Sequence, residues 1–207
     1  MLGDGIFYRD DAPLWWPRYD ANPIKCLNKV RSQIGAVDAT VRLCRGSGLC
    51  IQAGGHAGLW PERLAKCFKR VLTFEPEPAL FECMRRNLTG VENVEMHCLA
   101  LGREPAKVRM VPFHSAGSWR VADDGTYPVR QTSVDALELP ACDALILDIE
   151  GYEAEALAGA AKTIAKFRPV LHLEVLPRSR AAIEAKVAEF GYRRVHRIHA
   201  DEIFVPK

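Results

Sequence analysis

The chain contains no apolar run near the roughly eighteen residues that a membrane-crossing helix needs. It has no G-x-x-x-x-G-K-[ST] phosphate loop and no C-x-x-C pair. Its start, Met1-Leu2-Gly3-Asp4, lacks the basic stretch and apolar stretch of a secretory signal. It also lacks a charge excess: 28 basic side chains face 26 acidic ones, for a net charge of +2. These absences argue against a membrane protein, a phosphate-binding loop of that type and a dedicated nucleic-acid binder. The 7 cysteines are odd in number and spaced unlike zinc ligands. Buried thiols in a reduced compartment are expected, which points to the cytoplasm.

What is present fits one domain. A chain of 207 residues with 48% apolar residues can bury a full core. Residues 1–22 are rich in aromatics and proline and have no clear period; they are expected to form an arm, a flap or a cover. Residues 23–45 carry an amphipathic helical pattern interrupted near Gly35. Short apolar runs then alternate with helical segments. Strands are expected at 49–53, 70–75, 93–98, 143–149 and 169–175, with helices at 61–68, 78–88, 153–167 and 178–190. Residues 107–111 and 130–134 read as extended pieces. The close runs 192–198 and 202–205 should pair antiparallel. The expected fold is a single domain over 1–207, with an arm and helix in 1–45 and a Rossmann-like core in 46–207. That core is an α/β, doubly wound, mainly parallel seven-stranded sheet with an antiparallel C-terminal hairpin and helices on both faces. Its ligand site should lie beyond the carboxyl ends of the strands.

Three signals fall at those ends. Gln52-Ala53-Gly54-Gly55-His56-Ala57-Gly58 is a strand running into a glycine-rich turn, where backbone can approach a ligand and offer free N–H groups. The spacing is G-G-x-x-G, not the dinucleotide pattern G-x-G-x-x-G, which disfavours a nicotinamide dehydrogenase. Glu75 follows Gly54 by 21 residues at the next strand tip, where a carboxylate can accept ribose hydroxyls. Asp148, Glu150 and Glu153 gather at the tip of the fourth strand. If the extension continues, Asp148 and Glu150 share a side. They could hold hydroxyls, take a proton or bind a hard cation together with Asp135. Nothing in the spacing requires a metal, and no metal ligands are assigned. His114, in a polar loop with Trp119, is a further candidate base. His172 and Glu174 alternate on the next strand and read as the structural edge of the site. The basic residues Arg178, Arg180, Lys186, Arg193, Arg194 and Arg197 read as a solvated face.

The ordered set Gln52–Gly58, Phe74-Glu75-Pro76, Asn87, Ala100-Leu101-Gly102, Ser133-Val134-Asp135, Asp148–Glu153 and Arg168-Pro169 through Glu174 resembles the FkbM family of class I methyltransferases. That resemblance implies S-adenosylmethionine as the methyl donor and O-methylation of a sugar or small-molecule hydroxyl. It implies that Gly54, Gly55 and Gly58 line the methionine and ribose. Glu75 with Pro76 would lie at the ribose, Leu99 and Ala100 near adenine, and Asp148 between donor and acceptor. Gln52 and His56 stand where the family has an acid and an asparagine. Gln52 brings a hydrogen-bond acceptor without the charge that would favour the donor's ammonium group. The catalytic candidates are Asp148, Glu150 and His114. The expected partner is a small-molecule or glycan acceptor, with no membrane; a second copy of the chain could pair at the last strand. Two rivals stay open: a non-catalytic module that keeps the fold, and a nucleic-acid methyltransferase. The second is disfavoured by Asp-Ile-Glu-Gly where Pro-Pro-Tyr-like residues would stand.

Overall fold

In the computed structural model, which describes residues 6–9, 14–111, 115–116 and 118–207, the strand–helix alternation folds around one large sheet. Its strands are β3 (Leu49–Ala53), β4 (Arg70–Phe74), β5 (Val94–His97), β10 (Ala144–Leu147), β11 (Val170–Glu174), β12 (Tyr192–Ile198) and β13 (Asp201–Pro206). Their order is β12-β13-β11-β10-β3-β4-β5. The strands from β11 to β5 run parallel. β13 is antiparallel to both β11 and β12. The expected doubly wound sheet and C-terminal hairpin are therefore both present. β3 and β10 are neighbours although β3 leads to β4 on one side and β10 to β11 on the other. A crevice forms at such a switch point because the crossovers leave on opposite faces.

Alternation along each strand divides the core. Leu49, Ile51, Leu145, Leu147, Leu171 and Leu173 pack with Leu157, Ile164 and Ile183 on one face. These come from α5 (Glu153–Ala158), α6 (Ala161–Phe167) and α7 (Arg180–Glu189). Cys50, Val71 and Ile146 pack on the other face with Val37, Leu64 and Met84. These lie on α2 (Ile34–Leu43), α3 (Leu59–Ala65) and α4 (Pro78–Asn87). α1 (Pro23–Ser32) precedes α2.

Four details of secondary structure depart from the sequence reading. The helix break falls at Gln33, which ends α1 and begins α2, not at Gly35. The expected helix 153–167 is two helices, separated at Gly159 and Ala160. A side chain at Gly159 would meet the Gly102 carbonyl oxygen at 2.0 Å, so the close passage of that segment accounts for the break. The extended pieces belong to a second sheet, ordered β6-β9-β7-β8. Its strands are β6 (Ala100–Leu101), β7 (Ala106–Val111), β8 (Arg120–Val121) and β9 (Tyr127–Thr132). Lastly, the aromatic segment contains a hairpin of β1 (Ile6–Arg9) and β2 (Leu14–Pro17). Trp16 is fully buried there, among Leu27, Ala57 and Leu80. The basic face is also less free than its composition suggested: Arg180, Arg194 and Arg197 converge on the buried Glu202.

Candidate active site

A cleft of about 950 Å³, open solvent included, lies at the carboxyl ends of β3, β4 and β10. The β3 end gives Gly54, Gly55 and His56; the β4 end gives Glu75 and Pro76; the β10 end gives Asp148 and Glu150. Leu99, Ala100, Trp119 and Tyr152 close one part, and Cys26, Lys29 and Val30 of α1 cover another. Most sequence candidates thus meet in one place. Gln52 and Gly58 do not line the cleft, and His114 lies outside the described residues.

The glycine loop is built differently from expectation. Gly54 and Gly55 both donate their N–H to the Phe74 carbonyl, at 2.9 and 3.0 Å. His56 N–H goes to Glu75 Oε2 at 2.8 Å, Ala57 N–H to His56 Nδ1 at 2.7 Å, and Gly58 N–H to the Gly55 carbonyl at 2.9 Å. No N–H of residues 54–58 is left to cradle a phosphate. That arrangement suits a ligand without a pyrophosphate. The glycines are required by packing. Gly54 has φ +87°, and a Cβ there would stand 2.0 Å from the Asp148 carbonyl oxygen; one on Gly55 would meet Met84 and Thr73. β3 and β10 can approach this closely only where the side chain is missing.

Gln52 sits below the cleft floor and is fully buried. It stands opposite Thr73 in the β3–β4 register. Its Oε1 accepts from the Thr73 hydroxyl, and its Nε2 donates to the Gly54 carbonyl at 2.8 Å. The side chain fixes the loop from beneath. A carboxylate would put an acceptor against the Gly54 carbonyl.

Glu75 is 6% exposed. Its two oxygens accept from the backbone N–H groups of His56 and Glu77, at 2.8 and 3.0 Å. Burial raises its pKa to about 7, partly offset by those two hydrogen bonds. Each oxygen keeps a lone pair for a further donor. His56 is driven the other way, down to about 4, chiefly by burial. Its Nδ1 accepts from Ala57, so the neutral ring carries its proton on Nε2, 3.6 Å from the Cys26 thiol sulfur.

The acidic wall depends on Glu153. Its Oε1 accepts from Ile149 and Gly151 N–H at 3.0 and 3.2 Å, which closes the turn after β10. The chain does not continue extended: Glu150 has φ +55° and Gly151 φ +94°. Asp148 and Glu150 still reach the same cleft, through a turn instead of strand alternation. Burial raises the pKa of Asp148, assisted by Asp201 and Glu150. Glu150 is raised by burial against the pull of Lys29 and Arg178. Burial works against the charge of Lys29, but Asp148, Glu150 and Glu174 together outweigh it and raise its pKa. Lys29 escaped the sequence reading because a lysine on an amphipathic helix reads as solvated. Asp135, offered as a cation ligand, instead caps α6 by accepting from Lys162 and Thr163 N–H. His172 is buried in the sheet, 2.9 Å from Thr40 Oγ1 and 3.3 Å from Asp201.

The N-terminal segment supports the same site. Tyr19 donates to Glu77 Oε2 at 3.0 Å, and Glu77 caps α4 through Ala79 and Leu80 N–H. Trp119 packs between Tyr19 and Tyr127, with ring centroids 5.9 and 5.5 Å away.

Comparison with known proteins agrees with this architecture. The methyltransferase FkbM domain model matches residues 52–194. A solved FkbM methyltransferase from Methylobacillus flagellatus superposes with a TM-score of 0.58 at 18% identity, covering 77% of this chain and 43% of that one. This chain therefore spans less than half of that relative. Precorrin-6y C5,15-methyltransferase from Geobacter metallireducens gives 0.53 at 13% identity, covering 83% and 84%. The N-terminal domain of EvdMO1, solved in the presence of SAH and D-fucose, gives 0.50 at 15%, covering 84% and 81%. No curated protein matches in sequence. At these identities the solved structures speak for the fold, while the domain match extends over most of the chain from Gln52 to Arg194, and on that match the chain belongs to the FkbM methyltransferase family.

Proposed function

We propose that the cleft binds S-adenosylmethionine and that the chain methylates a hydroxyl of a small molecule or sugar. The observation that carries this reading is Glu75: a buried carboxylate at a strand tip, fixed by two N–H groups, with acceptor capacity left toward the cleft. Glu75 would take the two ribose hydroxyls. Ala100, Leu99 and Pro76 offer an apolar seat for adenine. The absence of free N–H groups in residues 54–58 favours an adenosyl group over a dinucleotide. The donor supplies a methyl group on a positively charged sulfur, and Asp148 and Glu150 in the cleft wall, with Glu174 behind them, favour positive charge beside it. Asp148 faces the same space and accepts the proton released by the acceptor hydroxyl; its raised pKa suits it to that exchange near neutral pH. Holding both partners in line supplies much of the remaining rate. The buried indole N–H of Trp119 has no partner among the described residues and is available to a ligand.

The test is calorimetric titration with S-adenosylmethionine and with S-adenosylhomocysteine, using wild type and Glu75→Ala, followed by a methyl-transfer screen of hydroxylated sugars. Loss of a charged hydrogen-bond acceptor should weaken binding by about 1.5–3 kcal/mol. Failure of folded wild-type protein to bind either ligand would overturn the reading.

A further inference from the structure

β10 and β11 end side by side, with Leu147 opposite Leu173. The next residue on each strand is acidic: Asp148 and Glu174. Glu150 turns back toward them in its left-handed conformation. One carboxylate oxygen from each of Asp148, Glu150 and Glu174 lies within 4.8 Å of the other two.

A second observation sets this group apart from an ordinary acidic surface. Glu174 is 3% exposed, and its Oε2 has no hydrogen-bond partner among the described residues. An orphaned buried carboxylate oxygen is costly unless something binds it. The charge is also incompletely matched. Arg178 reaches Glu150 at 3.4 Å from a largely solvated position. Lys29 supplies one positive charge against three carboxylates, and Glu153 and Asp201 add to their mutual repulsion.

We propose that Asp148, Glu150 and Glu174 hold a hard divalent cation of the Mg²⁺, Mn²⁺ or Ca²⁺ class at the edge of the cleft, where Asp148 and Glu150 line it and Glu174 lies behind them. The donor set is all oxygen, which suits those ions and not zinc or copper. The spacing fits as well. Oxygens on opposite sides of an ion stand about 4.2 Å apart at Mg²⁺ distances and roughly 4.6–5.2 Å apart at Ca²⁺ distances. Three oxygens spread evenly around one ion stand no more than about 3.6 Å apart at Mg²⁺ distances and roughly 4.0–4.5 Å at Ca²⁺ distances, so separations of up to 4.8 Å fit the larger ion with the least closure. Three protein ligands leave positions for water or for acceptor oxygens. On the methyltransferase reading, which this role rests on, the acceptor would present a hydroxyl and a neighbouring oxygen to the ion. Coordination would then lower the hydroxyl's pKa beside the donor, and with Asp148 bound to the ion the proton would leave to water instead of to that carboxylate.

The experiment is a Mn²⁺ titration of the chelator-treated full chain, read by electron paramagnetic resonance, with S-adenosylhomocysteine titrated in parallel. One saturable Mn²⁺ site is expected in wild type. Removal of a direct ligand in Glu174→Gln or Asp148→Asn should weaken it more than about 100-fold, since even outer-shell losses cost 10–100-fold. Glu189→Gln, paired with Lys186 on the solvent side of α7, should leave it unchanged, and Lys29→Ala should tighten it by removing a competing charge. Gln is isosteric with the protonated acid, so Glu174→Gln should fold and melt no lower than metal-free wild type. No saturable Mn²⁺ binding by folded wild type, or equal affinity in Glu174→Gln and Asp148→Asn, would sink the proposal. Binding of S-adenosylhomocysteine without Mn²⁺ would remove the cation and leave the methyltransferase reading. Mn²⁺ binding without S-adenosylhomocysteine would do the reverse.

Discussion

The Asn87 carboxamide satisfies both backbone groups of Trp15: Oδ1 accepts from the N–H at 2.6 Å and Nδ2 donates to the carbonyl at 3.0 Å. The same Nδ2 also donates to the Ala57 carbonyl at 2.8 Å. One side chain at the end of α4 thus ties the N-terminal hairpin to the glycine loop. Asn87→Ala should destabilise the protein by about 2–3 kcal/mol, because partly buried backbone groups lose their partners. It should also loosen the loop that carries His56. Urea unfolding measures the first effect and proteolysis within residues 14–22 the second. An unchanged midpoint would contradict this role.

The main strands were legible because β3, β4, β10 and β11 are short apolar runs flanked by turn residues. The second sheet was only half legible. β7 and β9 alternate exposed and half-buried residues and include Lys107, Arg109 and Arg130. Their pairing comes from tertiary placement, not from hydrophobic pattern. At the site, Glu75 and Asp148 could be found because strand-tip acids have a known geometry. Lys29 could not, and Glu174 was read only as the structural edge of the site, since their meaning depends on which elements become neighbours. Gln52 was visible as a departure from the family pattern, but its cross-strand pairing with Thr73 was not.

That pairing leads to a reversal of the obvious repair. Gln52→Glu restores an acid but sets a buried carboxylate against the Gly54 carbonyl, which loses its donor. We expect a loss of stability of roughly 3–5 kcal/mol, as for other uncompensated buried charges, and no gain in donor affinity. Calorimetry on the two proteins decides this; tighter donor binding by a stable Gln52→Glu variant would refute it.

Stability should fall as pH rises through the neutral range, because the buried carboxylates with raised pKa outnumber the one buried histidine with a lowered pKa. Glu75 and Glu153 keep protons up to about 7 in the folded protein, against 4.5 ordinarily. Over that window the unfolded chain binds fewer protons, so stability falls as pH rises. Asp148 and Glu174, also raised, extend the decline to higher pH. His56 acts in reverse: its pKa falls from 6.5 to about 4, so stability rises with pH across that interval and its contribution is complete above it. Metal-free protein should therefore melt lower at pH 8 than at pH 6.5. A melting temperature that climbs between those two values would contradict the assignment.

Trp119, between Tyr19 and Tyr127, forms the aromatic wall on the Glu77 side of the cleft. If the cleft holds the donor, Trp119→Ala should weaken it about three- to tenfold, the range expected for one aromatic contact. Fold stability should change less than in Trp16→Ala, because Trp16 is fully buried and its removal would cost about 3–5 kcal/mol. Paired ligand titration and thermal melts separate the two effects.

The cleft straddles the seam between β3 and β10, where Gly54 meets the Asp148 backbone across nearly half of the chain. Asp143 closes the other end of that seam by accepting from Gly48 and Leu49 N–H, both at 2.8 Å. During synthesis the first wall, with Gly54 and Glu75, leaves the ribosome well before the second, with Asp148 and Glu150. Only the arrival of β10 completes the crevice, and pairing over so long a separation is intrinsically slow. A nascent or truncated chain ending before Ala144 would thus carry Glu75 without its opposing wall, and ligand capture would report completion of the sheet.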